Sequence, residues 1–562
     1  MAMFRKRSKK STQYSSEQSR ETKDSGSQPL EASLQKNIQR IKETLGNSGD
    51  LIIREIQIGE EKGIKAGLFY IDGLTDIKSI QDFIIEPLML ETRKTPLKEK
   101  LSSGQDTLRI IKDFCLPSGD VKEEADFETL MTSLLSGRAL LLVEGQAQGI
   151  TIGLYEWEDR GVMEPTSQTV IRGPREGFSE TLRTNTALIR RKIKDPHLWM
   201  ESRRIGKFTK TDIAIMYIKG IANDKLVEEV RARLDRIQID GILESGYIEE
   251  LIQDNTFSPF PTVYNSERPD VIAAGLLEGR IAILVDGTPF VLLVPALFTQ
   301  FYQSAEDYYQ RADIGTILRV LRYIGLFIAL LGPSLYVAIT TFHQEMLPTP
   351  LLISLAAQRE GVPFPAFIEA FMMEVTFEIL REAGVRMPKS GGQAISIVGA
   401  LVIGQAAVEA GIVSAAMVIV VSITAISSFL FPSVNMAIPV RILRFALMVL
   451  AASFGLFGIT VGLIALVLHL CSLRSFGIPY MSPIAPLIPS DQKDTLLRLP
   501  QWGLITRPRL ISQSNVVREH NLKPLDPKSQ NQQEKNQKQD QKQDQKQDQN
   551  QEQNQQNQEQ KQ

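Results

Sequence analysis

Two cysteines, Cys115 and Cys471, and four histidines are spread over 562 residues. So few and so scattered, they exclude a disulfide framework, a zinc cluster and a His-based triad. Neither sign of charge is in excess: 63 basic against 65 acidic residues leave a net charge of −2, so nothing offers the basic face that nucleic acid requires. No GxxxxGK[ST] phosphate loop, GxGxxG after a strand, GxSxG elbow or HExxH occurs, so no catalytic, cofactor or metal site is expected. The first 300 residues hold no long apolar run, and the amino terminus MAMFRKRSKK has no apolar core of a signal peptide.

The apolar residues are concentrated instead in one later block. Tyr323 to Phe342 is twenty residues without a charge, enough to span about 30 Å of hydrocarbon. Ala394 to Pro432 carries one charge, Glu409, in thirty-nine residues, too long for one crossing and suited to a helical hairpin with Glu409 near its turn. Phe445 to Leu473 adds twenty-nine more, as one tilted helix or a pair broken near Gly455-Leu-Phe-Gly458. The chain therefore reads as an integral membrane protein with four to six spanning or re-entrant helices. Arg311, Arg319 and Arg322 before the first run place the amino-terminal half in the cytoplasm.

That amino-terminal half repeats itself. LLSGRALLLVEG at Leu134 matches LLEGRIAILVDG at Leu276 in seven of twelve positions, and YIDGLTD at Tyr70 has its counterpart in YIKGIAND at Tyr217. Two matches in one order predict two related α/β subdomains, each with a helix after the YI-x-G and a buried hairpin after the GR. Arg138 and Arg280 should then be equivalent. The expected organisation is a disordered 1–30, subdomains at 31–157 and 175–300 with a linker at 158–174, a membrane domain at 301–486, and a tail at 487–562 that is Gln-rich and disordered from about 524.

Several long strings in order, IRGPREGFSE, PFPTVYNSERPD, LEGRIAILVDGTPF, PSLYVAITTFHQEMLPTPL, VPFPAFIEAFMMEVTFEILREAGVRMP and SFGIPYMSPIAP, resemble the A subunits of GerA-type spore germinant receptors. The resemblance implies a spore inner membrane location and partnership with a transporter-like B subunit and a lipoprotein C subunit. It further implies a homo-oligomeric, channel-like assembly that turns germinant sensing into cation release. A secondary transporter with its own substrate is the alternative, and the lack of a repeat in the membrane half weighs against it.

Within this frame a few residues stand out. Glu374, Glu378 and Glu382 recur every fourth residue and form one acidic helical stripe. In an oligomer it would line a cation path; otherwise it is the wet face of an interfacial helix, paired with Arg381 or Arg386. Gln405 and Glu409 are intramembrane polar candidates or belong to a turn in water. Gly458 and Gly462 form a GxxxG for close helix packing, between subunits or within one. Asp286, Gly287 and Pro289, in the second hairpin just before the membrane-proximal chain, are candidates for coupling.

Overall fold

The computed structural model describes residues 28–58, 64–90, 108, 111–112, 120–154, 164–165, 168–386, 404–513 and 515–518. The polar ends, residues 394–403 of the apolar block and residues 158–163 and 166–167 of the linker lie outside them.

The amino-terminal half holds two five-stranded antiparallel sheets with the same strand order. The first is β1 (Leu51–Ile58), β2 (Ile64–Ile71), β4 (Arg138–Val143), β5 (Gly149–Gly153) and β3 (Val121–Glu124). The second is β6 (Leu198–Ile205), β7 (Thr211–Ile218), β9 (Ile281–Val285), β10 (Val291–Val294) and β8 (Tyr264–Ser266). The duplication expected from the sequence is therefore present in the topology. β2 and β7 are each buried over their last six residues because helices cover both faces of each sheet. Alternate side chains accordingly enter different cores: Leu68 and Tyr70 one, Phe69 and Ile71 the other.

The repeated GR marks the same turn twice. Gly137 and Gly279 leave a helix at φ +92° and +91°, a conformation natural only to glycine. Arg138 and Arg280 follow at equivalent places, both buried. Arg138 is satisfied by Asp120, at 2.7 Å, and Arg280 by the Pro295 carbonyl, also at 2.7 Å.

Helices α1 (Leu34–Thr44) and α2 (Phe127–Leu135) cover one face of the first sheet. In the second, α4 (Asp224–Asp235) and α5 (Ser245–Ile252) cover one face, and α3 (Leu182–Lys192) and α6 (Pro269–Leu277) the other. α3 also joins the two subdomains. Its fully buried Arg190 pairs with Asp50 and donates to the Ser48 hydroxyl at 2.8 Å. This arginine, with its guanidinium spent on Asp50 and Ser48, is a structural clamp between the subdomains.

The second half is helical. Among the described residues two helices are long and apolar enough to cross a membrane, α7 (Ala312–Phe342) and α11 (Val434–Ser472); between them lie α8 (Thr349–Arg359), α9 (Ala366–Arg386) and α10 (Ala415–Ser428). α11 is broken at Gly455, whose φ of 60° and ψ of −140° are not helical. Its limbs, 434–454 and 456–472, are roughly 25–31 Å long. They fold back on each other: a Cβ on Gly458 would meet the Leu450 carbonyl oxygen at 2.3 Å, and one on Gly462 the Leu447 side chain at 2.6 Å. Of the two readings of the long run, the broken pair is the one observed.

One apolar core runs through both halves. Ala214, Met216 and Ile218 of β7 share a cluster with Phe298, Phe301 and Tyr302, and this continues into Ala329 and Leu330 of α7 and Met436 and Val440 of α11. Tyr302 stacks on Tyr323 of α7 at 5.1 Å between centroids and meets Phe431 edge-on. Packing at this density transmits displacement rather than absorbing it.

Candidate functional site

Two groups of charged side chains lie beyond the soluble cores. The first sits at the junction. Arg319, in the second turn of α7, is 0% exposed and pairs with Asp307 at 3.1 Å and Asp494 at 2.7 Å. Arg322 closes on the same Asp307 at 2.7 Å. Tyr308 donates to the Asp494 carboxylate at 2.7 Å. Burial pushes the Asp494 carboxyl above its ordinary range, against the opposing pull of Arg319 and Tyr308, and pushes the Tyr308 phenol up as well.

Asp494 belongs to a chain segment that returns from the membrane helices and straps the junction. Ser475 donates from its hydroxyl to the Thr262 carbonyl and accepts from the Ala296 N–H at 2.9 Å. Phe298 donates to the Tyr480 carbonyl at 2.9 Å. Arg498 donates to the carbonyls of Gln310 and Tyr308, and Arg507 to that of Leu277 at 2.8 Å.

The second group lies between α9 and α11. Glu374, 0% exposed, meets Arg444 at 2.9 Å. Glu378 is shared by Arg441 at 2.7 Å and Arg444 at 3.1 Å. Glu382 lies farther along the stripe and, with Glu378, Ile379 and Phe445, borders an apolar surface groove of about 530 Å³. The three acids therefore do not share one environment: Glu374 turns inward, Glu378 lies at the boundary, and Glu382 flanks the groove. Toward the start of α9, Glu369 is also buried. It accepts from the Ser414 N–H at 3.0 Å and hydroxyl at 2.9 Å, capping α10, and meets Arg359 at 3.3 Å.

The other candidates are placed as follows. Gln405 donates to Glu409 at 2.9 Å; both are exposed and lead into the turn before α10. Gly458 and Gly462 face the first limb of their own hairpin. Asp286 accepts from the Leu182 N–H at 2.9 Å and Gly287 donates to the Glu180 carbonyl at 2.7 Å, so this turn caps α3. It lies, with Pro289, at the start of β10, whereas the residues that touch the membrane-side segment, Ala296 and Phe298, follow its end.

Sequence reasoning missed Arg441 and Arg444 as partners of the acidic stripe, for which it offered Arg381 or Arg386. The spacing of three between Arg441 and Arg444 in an otherwise apolar run, close to the four-residue spacing of Glu374 and Glu378, is the available signal. Nothing periodic marks Asp494 or Arg498.

Two matching α/β subdomains, the second sharing its core with apolar helices of spanning length, define a membrane protein with a large α/β half. The chain belongs to the Bacillus/Clostridium GerA spore germination protein family, whose profile matches residues 39–510, in agreement with the likeness drawn from its sequence. It is 51% identical over 490 residues to spore germination protein KA of Bacillus subtilis, covering 87% of this chain and 89% of that one. It is 45% identical to the uncharacterized membrane protein YfkQ of the same organism, covering 88% and 94%. The crystal structure of the N-terminal domain of the A subunit of the Bacillus megaterium spore germinant receptor GerK3 matches at 44% identity, covering 48% of this chain and 98% of that one, with a TM-score of 0.40.

Proposed function

We propose that this chain is the A subunit of a germinant receptor in the spore inner membrane, with its amino-terminal half on the core side. It acts with a transporter-like B subunit and a lipoprotein C subunit, and as a homo-oligomer forms part of a channel through which cations leave when germinant is sensed. The observation that carries this reading is the apolar core that runs from β7 through Tyr302 into α7 and α11, because it ties any movement of the soluble half to the membrane helices. The boundary carboxylates Glu378 and Glu382 support the ionic part: acids at membrane depth are costly unless they are paired or wet, and they mark ion paths.

The test is a spore strain lacking this gene, complemented with wild-type chain or with Tyr302→Ala, which loosens the shared core. The reading predicts that germinant-triggered cation release is restored by the first and strongly reduced by the second at equal receptor abundance. Full release from spores lacking the gene, across the germinants that trigger it, would refute the assignment.

A further inference from the structure

A cavity of about 490 Å³ lies where the soluble half, the membrane helices and the strap meet. Its walls come from α6, from the turn before α7, from Arg322 on α7, and from the loop 429–432 that joins α10 to α11; Gln501 and Arg518 of the strap close it. The volume suits a small ligand or the polar end of a larger one.

Four arginines and two carboxylates are among its lining residues. Three of the arginines are already fixed: Arg268 by Asp270 at 2.8 Å, Arg280 by the Pro295 carbonyl, and Arg322 by Asp307. Matched by Asp270, Glu278 and Asp307, they are pre-organised but add no net charge. The fourth, Arg518, is half-buried, and among the described residues its guanidinium has neither a hydrogen bond nor an ion pair; only its main-chain N–H is engaged, with the Ile505 carbonyl at 2.7 Å. The cavity thus holds one guanidinium more than its own acids and Asp307 neutralise, and a planar fork of this kind binds phosphate with two parallel bonds.

The loop that forms the membrane-side wall is apolar and open. Phe429 is 66% and Leu430 42% exposed, and Val320, Leu321 and Ile324 on neighbouring turns of α7 are exposed too. A positive polar chamber bordered by exposed apolar residues at the ends of membrane helices fits an amphiphile, with its charged end inside and its chains along the helices.

We propose that this cavity holds the phosphate headgroup of an anionic phospholipid, with Arg518 as its principal contact and Phe429 and Leu430 against its acyl chains. A lipid seated there touches the second subdomain, the first span, the α10–α11 loop and the strap at once. It therefore stabilises the arrangement in which the two halves of the chain are joined.

The test uses the full chain purified in mild detergent, with phosphatidylglycerol or phosphatidylcholine added at matched concentration. Bound lipid is counted by native mass spectrometry and thermal unfolding is followed in parallel. Two variants probe the site without removing any contact present in the fold. Arg518→Glu reverses the unpartnered charge, and Ala274→Trp fills the chamber from an exposed position on α6. Phosphatidylglycerol should be retained over phosphatidylcholine and should raise the unfolding temperature, and each variant should weaken its retention about tenfold, as expected for loss of one charge-assisted contact. Arg518→Lys, which keeps the charge but loses the two-bond fork, should retain binding intermediate between wild type and Arg518→Glu. Equal retention of the two lipids, or loss in Arg518→Glu but not in Ala274→Trp, would overturn the cavity as a lipid site. Protection by inorganic phosphate alone, equal to that of the lipid, would overturn the lipid as occupant in favour of a soluble phosphate compound.

Discussion

Arg319 and Asp494, 175 residues apart in the chain, meet at 2.7 Å, and the Arg319 side chain is wholly buried. The first spanning helix and the strap that follows the last one are thereby fastened to each other and, through Asp307, to the soluble half. Removing one partner of such a pair leaves a buried charge under-compensated. Asp494→Ala should cost about 3 kcal/mol, at the lower end of the range because Asp307 still faces Arg319. Limited proteolysis should then cut within 487–518 under conditions that leave the wild type intact. A double-mutant cycle with Arg319→Ala should give a combined cost well below the sum.

Gly455 makes the far turn of the α11 hairpin at a backbone conformation that side chains avoid, and a Cβ there would lie 2.8 Å from the His343 ring. Gly455→Ala should destabilise the membrane half by about 1–3 kcal/mol. Its measure is the fraction of protein that survives mild heating in detergent as an unaggregated species. Gly477→Ala, also at positive φ but with no atom near its Cβ, serves as the control for backbone strain without the clash.

Glu249 on α5 is held above its ordinary range, at about 6, chiefly by burial and further by the nearby Glu244; the Asn265 amide, which donates to it at 3.2 Å, acts in the opposite direction. Because the folded-state value is raised, the folded protein binds the extra proton between about pH 4.5 and 6. Stability therefore falls as pH rises through that window, and the penalty is complete above it. Glu249→Gln should stabilise the protein by about 2 kcal/mol at pH 8 and leave it unchanged near pH 4. Thermal unfolding of the two proteins at both pH values reads the difference directly.

The soluble fold was legible in the sequence because each of its devices is local. LLSGR and LLEGR each place a glycine at the end of a helix and a buried strand after it, and β2 and β7 carry the same burial pattern. The apolar runs were legible for the same reason, and Gly455 stood out as a break in the last of them. The partners of the acidic stripe were not, because Glu378 and Arg441 lie 63 residues apart on different helices and nothing local specifies which helices face each other. The strap was invisible for another reason. It is irregular chain held by Arg498 and Arg507 bonding to carbonyl oxygens, and such bonds leave no periodicity. The coupling candidates at Asp286 and Gly287 were chosen by nearness in sequence to the membrane, whereas β10 carries the chain from that turn to the contacts at Ala296 and Phe298.

Under the proposed function, the α9–α11 charge cluster would belong to a cation path in an oligomer of this chain. Glu374 and Glu378 balance Arg441 and Arg444, so replacing both acids by glutamine leaves two positive charges where cations would pass. Potassium release after germinant addition, recorded from spores carrying Glu378→Gln alone and with Glu374→Gln, tests this most directly when receptor abundance and oligomer size are measured in the same spores. A cation path predicts normal abundance and assembly with weakened release in Glu378→Gln; the double variant, which leaves the buried Arg444 without an acid partner, should lose abundance and show a larger loss of release per assembled receptor. Unchanged release from the double variant would contradict it and leave the cluster as a clamp between two helices.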